Sequence, residues 1–300
     1  MAILVTGAKG LVGSRIAKLF AARPGETVLA VARGAQGAAG ANVRHVDLDL
    51  TDEASLFALV VKEKPSAIVH CAAMTNVDAC ERDPVGAWAI NVGATAAIAR
   101  GAREVGARLV ALSTDYVFDG VEGNYDEEAR PNPKGMYART KRAGEEAALV
   151  LAPNTVVARV ATIFSGLKTD KRTYAFDLAE KLTAGTPYKA FSDQIVSPTH
   201  ADNAAAMCAA LVDHTYTGVL HCAGRDALSR VAFAEKMADL LGASKSAIVP
   251  VAMADVSLPA PRPARSGLNV DRAAALLGKE IGPWSLEAAL ARFVSEFRAG

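Results

Sequence analysis

Cysteine is scarce in this chain of 300 residues, and its spacing excludes several classes of protein. Only four cysteines occur, and no two of them have the Cys-x-x-Cys spacing typical of zinc or redox motifs. They lie mostly in apolar segments, at Cys71, Cys80, Cys208 and Cys222. We therefore expect free, buried thiols in a reducing compartment, and neither a disulfide framework nor a metal site.

The chain also lacks an excess of charge of either sign. Its 33 Lys and Arg residues balance 32 Asp and Glu residues, so the formal net charge is +1. Such a balance creates no field that would gather nucleic acid or an acidic membrane surface. We expect a small-molecule partner, with no nucleic acid and no membrane.

Long hydrophobic runs are missing as well. No apolar run approaches the roughly 20 residues needed to span a bilayer. The first apolar stretch, residues 3–5, follows no cationic segment and meets Gly7 after a few residues, which favours a strand over a signal peptide. A cytoplasmic location is expected.

Apolar residues make up 51% of the sequence, arranged in short segments. Strand-like and helix-like segments alternate through the first half, which predicts an α/β fold with a doubly wound parallel sheet. We expect a Rossmann domain over residues 1–165, joined by residues 194–222 returning to the sheet. Residues 166–300 are then mainly a smaller C-terminal substrate region.

Three further segments are predicted from apolar periodicity and turn residues. A single helix is expected from about residue 84 to residue 103, and an uninterrupted strand over residues 155–164. A long polar loop is expected over residues 119–133. A loop of this length above the carboxyl end of a strand is often functional, so we expect this loop to have a function.

A glycine-rich turn follows the first predicted strand. Gly7, Gly10 and Gly13 have the spacing Gly-x-x-Gly-x-x-Gly. Glycine at these positions permits a sharp turn, close approach of a pyrophosphate, and close packing of the next helix, whose N-terminus supplies free N–H groups. A tight turn without a ligand is the alternative, but the position in a first βαβ unit favours nucleotide binding.

The end of the second predicted strand indicates which dinucleotide binds. Arg33 stands where an NAD site usually has an acidic residue for the ribose hydroxyls, and an arginine there suits a 2′-phosphate. Lys9 adds a second cation nearby. The alternative is that both are solvated surface charges. Asp49 is placed to bond the adenine amino group or, equally, to cap the next helix.

Tyr137 and Lys141 lie four residues apart, on one face of a predicted helix. A nearby ammonium favours phenolate, so it should lower the tyrosine pKa from about 10 toward the range useful for proton transfer. Ser113 and Thr114 end the preceding core strand, so hydroxyl, phenol and ammonium meet at the carboxyl edge of the sheet, where ligands bind. A Tyr–Lys pair on a solvated helix face is the alternative.

At this point the chain resembles the extended short-chain dehydrogenases, and more narrowly the dTDP-4-dehydrorhamnose reductase family. The resemblance covers almost the whole chain. Its most specific motifs are Ser113-Thr-Asp-Tyr-Val-Phe-Asp-Gly120 and Asp193-Gln-Ile-Val-Ser-Pro-Thr199. The glycine turn, His70-Cys-Ala-Ala73 and the helix that begins at Tyr137 also look like parts of this family.

The resemblance implies a role for each candidate residue. Thr114, Tyr137 and Lys141 would form the catalytic triad, with Ser113 as the less favoured hydroxyl. The cofactor-binding residues would be Gly7, Lys9, Gly10, Leu11, Val12, Arg33, Asp49, Leu50, Cys71, Ala72, Ala73, Tyr137 and Lys141. The substrate-binding residues would be Thr75, Asp115, Tyr116, Thr162, Pro198 and Arg262, with Arg262 the best candidate for binding a diphosphate.

Two segments depart from the family pattern. The family commonly has Arg-Thr-Ser-Trp where this chain has Arg159-Val-Ala-Thr162, so an aromatic wall expected near the sugar is missing. Around Thr173-Tyr-Ala-Phe176 an expected Asn is absent. These departures bear on the substrate and leave the expected fold unchanged.

By this resemblance the chain is expected to reduce the 4-keto group of a nucleotide-linked deoxysugar, with dTDP-4-dehydro-L-rhamnose as the first substrate to consider. NADP(H) is the expected cofactor, with NAD(H) as a possible one, and a homodimer is a possible assembly. A related epimerase or dehydratase is one alternative, although a dehydratase would carry an acidic pair beside the strand hydroxyl. A non-catalytic NADP-binding subunit, like the regulatory subunit of methionine adenosyltransferase, is the other.

Overall fold

A parallel sheet of seven strands forms the centre of the part of the chain that the structure describes. The computed structural model describes residues 1–34, 41–168 and 172–299. The sheet contains β1 to β6 and β11, and the other described strands form two-stranded pairs. In chain order, the strands of the described residues are β1 (Ala2–Thr6), β2 (Thr27–Val31), β3 (Val43–Val46), β4 (Ala67–His70), β5 (Arg108–Thr114), β6 (Thr155–Val160), β7 (Ile163–Phe164), β8 (Tyr188–Phe191), β9 (Ile195–Val196), β10 (Thr199–His200), β11 (Gly218–His221), β12 (Leu228–Ser229) and β13 (Ile248–Val251).

Helices cover both faces of this sheet. They are α1 (Gly13–Ala21), α2 (Glu53–Glu63), α3 (Val77–Arg82), α4 (Pro84–Trp88), α5 (Ala94–Val105), α6 (Met136–Leu151), α7 (Tyr174–Thr183), α8 (Ala201–Ala210), α9 (Arg230–Leu241), α10 (Asp271–Ile281) and α11 (Leu286–Ala299). On one face, Ile16 and Phe20 of α1 share an apolar cluster with Met207 of α8. On the other face, Leu56 of α2 and Ile98 of α5 belong to a second cluster. The predicted doubly wound Rossmann fold is confirmed.

The strand order across the sheet is β11-β6-β5-β4-β1-β2-β3. The chain therefore winds outward from β1 to β3 and then returns to continue on the other side from β4. In such sheets the point of reversal leaves a crevice outside the carboxyl ends of the strands, because the two flanking connections diverge there. This crevice lies between β1 and β4, directly above the glycine turn.

A third apolar cluster holds the smaller C-terminal part of the molecule. Phe164, Phe233 and Phe293 are fully buried in it. The cluster combines α7, α9 and α11 with β7 and β8. Strand β11 comes from this half of the sequence and pairs in parallel with β6 at the edge of the central sheet. The division of the chain at residue 165 remains a prediction.

Two predicted elements are interrupted. The strand expected over residues 155–164 breaks into β6 and β7, because Thr162 has a backbone φ of 43° that no extended strand tolerates. The helix expected over residues 84–103 begins as α4, widens into a π-helical turn at Ala89–Gly93 and continues as α5. Helix α3, capped by Asn76 through a bond from the Ala79 amide, was not predicted.

The loop over residues 119–133 does not contribute to the main cavity. Tyr125 stacks on Phe118 with a centroid separation of 4.2 Å, and its amide donates to the Gly267 carbonyl at 3.0 Å. Asp119 accepts a hydrogen bond from the Tyr125 hydroxyl at 2.8 Å. These contacts fix the loop against residues 263–268, and none of its residues lines the main cavity. A function for the loop remains a prediction.

Two absences hold for the described ranges. None of their helices combines the length and apolar character that crossing a bilayer requires. No three His, Cys, Asp or Glu side chains among them are grouped so that they could hold a metal ion. All four cysteines are free, and Cys71 is the one that is not fully buried.

A buried ion pair joins α6 to the central sheet. Arg159 of β6 is 1% exposed, and its guanidinium bonds both oxygens of Glu145 at 2.8 and 2.9 Å. Arg142 also bonds Glu145, from a more exposed position, at 3.0 Å. Because the Arg159 guanidinium further lies 5.0 Å from the Phe118 ring, its charge is enclosed by partners on two sides.

We expect Arg159→Leu to lower the free energy of unfolding by about 3 kcal/mol, because the buried Glu145 carboxylate loses its buried partner and keeps only the more exposed Arg142. Arg100→Leu is the matched control, since Arg100 forms an ion pair with Glu53 at 3.2 Å in which both side chains are nearly half exposed. Its effect should stay within about 1 kcal/mol. Urea unfolding of both variants measures the difference, and equal losses would contradict the assignment.

Candidate active site

A cavity of about 560 Å³ follows the carboxyl ends of β1, β4 and β5. Its lining combines the glycine turn, the ends of the strands, α6 and the first residues of α7 and α9. Seventeen of the predicted site residues line it: Gly7, Gly10, Leu11, Val12, Arg33, Asp49, Leu50, Cys71, Ala72, Ala73, Thr75, Thr114, Asp115, Tyr116, Tyr137, Lys141 and Thr162. The structure thus brings most of the predicted set together.

Three predicted site residues lie outside this lining. Lys9 donates to the backbone carbonyls of Arg33 and Gly34, at 3.4 and 2.5 Å. Arg262 is held by Asp78 at 2.8 Å and by the Ala260 carbonyl at 2.7 Å. Both cations therefore already have partners within the chain.

Pro198 is the third of these residues. Its carbonyl oxygen faces Gly224 so closely that a Cβ there would approach it to 2.1 Å. Pro198 is thus enclosed by its own chain. Neither Pro198 nor Arg262 lines the described cavity, and their role in substrate binding remains a prediction.

Several lining residues were not predicted. Some extend strands or helices already assigned, namely Gly13, Ala32, Val77, Ile90, Leu112, Val160 and Ile163, and Ser113 had been the less favoured hydroxyl. The others come from beyond residue 170, namely Arg172, Thr173, Tyr174 and Arg230. No motif marks this second group, because what brings α7 and α9 to the cavity is the packing of the C-terminal cluster.

The glycine turn leaves no room for side chains. Gly7 has φ 65°, and a Cβ on it would lie 2.9 Å from the Ala72 amide nitrogen. A Cβ on Gly13 would lie 2.3 Å from the Gly7 carbonyl oxygen. The backbones of β1, α1 and the β4 exit therefore touch directly, and the cavity is bounded by backbone, as a pyrophosphate site requires.

The far end of this cavity carries Arg33 and Asp49. The Arg33 guanidinium is 3.9 Å from the Asp49 carboxylate, and its side chain is 75% exposed. Hydrogen bonds from the Thr51 amide and hydroxyl, both 2.9 Å long, lower the pKa of Asp49. Asp49 does not cap α2, because the capping side chain is that of Asp52, which accepts from the Ser55 amide.

Tyr137 and Lys141 lie on the inner face of α6 and are 9% and 6% exposed. The Lys141 ammonium donates to the Leu112 carbonyl at 2.8 Å. The Tyr137 ring meets Tyr116 edge-on, with 5.8 Å between centroids. Because both side chains are buried in the cavity wall, the alternative of a solvated helix face is wrong.

Burial acts on the pKa values of these two groups in opposite directions. It raises the pKa of Tyr137, more than the neighbouring Thr114 hydroxyl lowers it. It lowers the pKa of Lys141 to about 8, although the charge of Glu145 acts to raise it. The net effect on the Tyr137 pKa is thus opposite to the expected lowering, since removing the phenol from water has the largest effect. The influence of Lys141 on this pKa remains a prediction.

Thr114 forms a short chain of polar contacts with Asp115 and Ser266. The Thr114 hydroxyl donates to one Asp115 oxygen at 3.0 Å, and the Ser266 hydroxyl donates to the other at 2.5 Å. Burial nevertheless raises the pKa of Asp115 to about 6, because these bonds offset only part of the loss of water. Asp115 is a buried acid next to the Thr114 hydroxyl.

Asn91 connects this region to α6. Its side-chain oxygen accepts from the Met74 amide at 2.8 Å, and its amide nitrogen donates to the Thr140 hydroxyl at 3.0 Å. Asn91 lies in the π-helical turn, whose wider spacing also brings Ile90 into the cavity lining. Such turns are frequent at functional sites, and here the turn ties the β4 exit to α6.

We expect Glu145→Gln to lower the pKa of Lys141 below about 8, because the Glu145 charge raises that pKa and the amide cannot. At pH 8 a smaller fraction of Lys141 is then protonated. NMR titration of the lysine Cε and Nζ signals measures the pKa. Glu146→Gln is the control, since Glu146 is an exposed neighbour paired with Arg142. An unchanged Lys141 pKa in the Glu145 variant would refute this coupling.

Comparison with known proteins places the chain in a family. Residues 1–299 match the family model described as RmlD substrate binding domain. The probable low-salt glycan biosynthesis reductase Agl14 of Haloferax volcanii is 31% identical over 281 residues, 93% of each chain. The dTDP-4-dehydrorhamnose reductase of Mycobacterium tuberculosis is 34% identical over 274 residues, 89% of this chain and 84% of the relative.

A relative of another kind also matches. Methionine adenosyltransferase 2 subunit beta of Mus musculus is 29% identical over 278 residues, 90% of this chain and 80% of the relative. This chain is thus similar both to reductases and to a protein named as a subunit of another enzyme.

Solved structures agree with the family model. A dTDP-4-dehydrorhamnose reductase from Yersinia enterocolitica superposes with a TM-score of 0.87 at 29% identity, over 99% of both chains. The reductase from Bacillus anthracis in complex with NADP gives 0.83 at 26% identity, over 98% of this chain and 99% of the other. The resemblance inferred from the motifs is confirmed: the chain belongs to the RmlD substrate binding domain family, that of the dTDP-4-dehydrorhamnose reductases.

Proposed function

We propose that this protein is an NADP(H)-preferring reductase of the 4-keto group of a nucleotide-linked deoxysugar. The observation that carries the proposal is the buried Tyr137 phenol, which shares one cavity with Lys141, Thr114 and the glycine turn. The coarser expectation, an NAD(P)-dependent oxidoreductase, is confirmed at the level of the family.

The residues of the cavity fit a dinucleotide. Backbone alone borders the cavity at Gly7 and Gly13, where a Cβ would collide with neighbouring backbone atoms. Arg33 supplies a guanidinium at the end of β2, which can bond phosphate oxygens in pairs. The solved Bacillus anthracis relative is a complex with NADP. NADP(H) is therefore the preferred cofactor in our proposal, with NAD(H) possible.

The reduction needs a proton for the keto oxygen, and Tyr137 is its donor. NADPH, when bound, supplies the hydride that reaches the carbonyl carbon. Since burial raises the Tyr137 pKa, the phenol carries its proton at neutral pH and can release it to the oxygen as negative charge develops there. Lys141 is cationic below pH about 8, and in our proposal it holds the ribose next to the nicotinamide.

Thr114 completes the group by hydrogen bonding the developing alkoxide. A hydroxyl has one proton to donate, and that of Thr114 bonds Asp115 in this structure. In our proposal it turns to the substrate oxygen, while Ser266 continues to donate to Asp115. Donors placed in advance in a site without bulk water stabilise such charge strongly.

For the sugar, dTDP-4-dehydro-L-rhamnose is the first substrate to test, since the reductases named above carry that activity in their names. Thr162 lines the cavity where the family commonly has Trp, so the aromatic surfaces on this side are those of Tyr116 and Tyr174. The product would be dTDP-L-rhamnose. To identify the nucleotide base and the sugar that the protein accepts, NADPH oxidation is measured with dTDP-, UDP- and GDP-linked 4-keto sugars.

A non-catalytic NADP-binding subunit is the second candidate, favoured by the similarity to methionine adenosyltransferase 2 subunit beta. Thr114, Tyr137 and Lys141 all line the cavity, which supports catalysis instead. NADPH binding without turnover of any 4-keto sugar in the panel would favour the subunit. An epimerase or dehydratase is less well supported, because Asp115 is the single acidic residue of the cavity next to Thr114.

The proposed partner is a nucleotide sugar. The absence of nucleic-acid and membrane partners, a homodimer and a cytoplasmic location remain predictions.

We expect Tyr137→Phe to reduce turnover about 100- to 10,000-fold, since a general acid contributes about that much, while NADPH affinity stays close to wild type. Stopped-flow or steady-state NADPH oxidation measures turnover, and fluorescence titration measures affinity. Tyr216→Phe is the control, because the Tyr216 hydroxyl bonds the Val219 carbonyl at 2.7 Å outside the cavity. Full turnover in Tyr137→Phe would rule out the phenol as proton donor.

We expect Arg33→Ala to reduce the preference for NADPH over NADH about ten- to a hundredfold, because charge-assisted bonds to a 2′-phosphate are lost. The measurement is kcat/KM for both cofactors at fixed salt. Arg44→Ala is the control, since Arg44 pairs with Glu63 on the surface. A wild type that favours NADH, or an Arg33 variant that keeps the full NADPH preference, would show that Arg33 is only a surface charge.

A further inference from the structure

Arg230 stands at the first position of α9 and lines the substrate side of the cavity. Its guanidinium carbon lies 3.9 Å from the centroid of the Tyr174 ring, and its Nε donates to the Gln194 side-chain oxygen at 3.2 Å. The Arg230 backbone amide also donates to the Gln194 carbonyl at 3.2 Å. Both the backbone and the head group of this arginine are therefore held in place.

One donor atom of this fixed guanidinium is unused. Nη1 of Arg230 is buried and has no hydrogen-bond partner among the described residues. Burial raises the pKa of the neighbouring Tyr174 hydroxyl, and Arg230 acts against this rise. Buried polar atoms are nearly always paired, so an unpaired guanidinium nitrogen in a cavity wall indicates a polar ligand that bonds there.

The other arginines near the substrate side already have carboxylate partners. Arg172 lines the same part of the cavity and pairs with Asp177 and Glu180. Arg262 pairs with Asp78 outside the lining. Within residues 1–34, 41–168 and 172–299, no carboxylate lies within ion-pair distance of Arg230. Its charge therefore has no counter-ion in the described structure, and an anionic ligand would provide one.

Arg230 also acts on the catalytic end of the cavity. Its positive charge helps to lower the pKa values of Asp115 and Tyr116, although burial raises both overall. Arg230 lines the same cavity as Thr114 and Tyr137, so a ligand bound to the arginine can extend toward them. Arg33 marks the opposite, adenosine end of the cavity, so the two guanidinium groups serve different ligands.

We propose that Arg230 is the residue that binds the diphosphate of the nucleotide-linked substrate, with Tyr174 supporting its guanidinium from one face. The proposal rests on the proposed function, since it requires a nucleotide-sugar substrate. It assigns to Arg230 the role that the sequence had suggested for Arg262. A planar guanidinium bonds phosphate oxygens in pairs, which suits the fixed orientation of Arg230. A carboxylate on the sugar has the same chemistry and is tested separately.

The test is isothermal titration of dTDP, UDP and GDP into the protein saturated with NADP⁺. We expect Arg230→Ala to weaken binding of the preferred nucleoside diphosphate about ten- to a hundredfold, the range for losing charge-assisted hydrogen bonds. The affinity of Arg230→Lys for the diphosphate should lie between those of wild type and Arg230→Ala, because an ammonium keeps the charge but cannot form the paired hydrogen bonds. The NADP⁺ affinity of both variants should match wild type, which also shows that they fold.

Arg103→Ala is the matched control, because it removes the same charge from an exposed position in the last turn of α5. It should leave the affinity for the diphosphate unchanged. The assignment is overturned if Arg230→Ala binds the diphosphate as tightly as wild-type protein does. It is also overturned if this variant loses affinity only for a nucleotide sugar that carries a carboxylate. If none of the three diphosphates binds wild-type protein, the proposed function itself fails, whatever the variants do.

Discussion

The reversal of strand order between β1 and β4 is the constraint on which the candidate site depends. Because the strands are parallel, their carboxyl ends share one edge, and the divergence of the connections at the reversal leaves a crevice there. At Gly7 and Gly13 no side chain covers the backbone that borders this crevice, because a Cβ at either position would collide with neighbouring backbone atoms. The ends of β4 and β5 then add Ala72 and Thr114 to its walls.

Burial decides the chemistry of the groups in this crevice. It raises the pKa of Tyr137 and lowers that of Lys141 to about 8, so the phenol keeps its proton at neutral pH and the amine is still mostly protonated there. The ion pair of Glu145 with Arg159 lies behind them and joins α6 to β6. The same carboxylate therefore anchors α6 and helps to keep Lys141 charged.

The residues that line the proposed substrate side of the cavity come from a different part of the chain. The antiparallel pairing of β12 with β9 brings the start of α9 next to Gln194. Arg230 and Tyr174 thereby reach the cavity across a long separation in sequence.

The sequence alone determined the alternating fold, the glycine turn and the helix that carries Tyr137 and Lys141, because each depends on local spacing. The spacings are the period-two and period-3.6 burial, the glycines of the turn, and a Tyr–Lys separation of one helical turn. Only the tertiary structure decided which charges are free to bind a ligand. Arg262 has a carboxylate partner and Arg230 has none within the described residues, and that difference depends on which segments meet in space. The tyrosine pKa was decided in the same way, since burial is a property of the packed molecule and no spacing in the chain reports it.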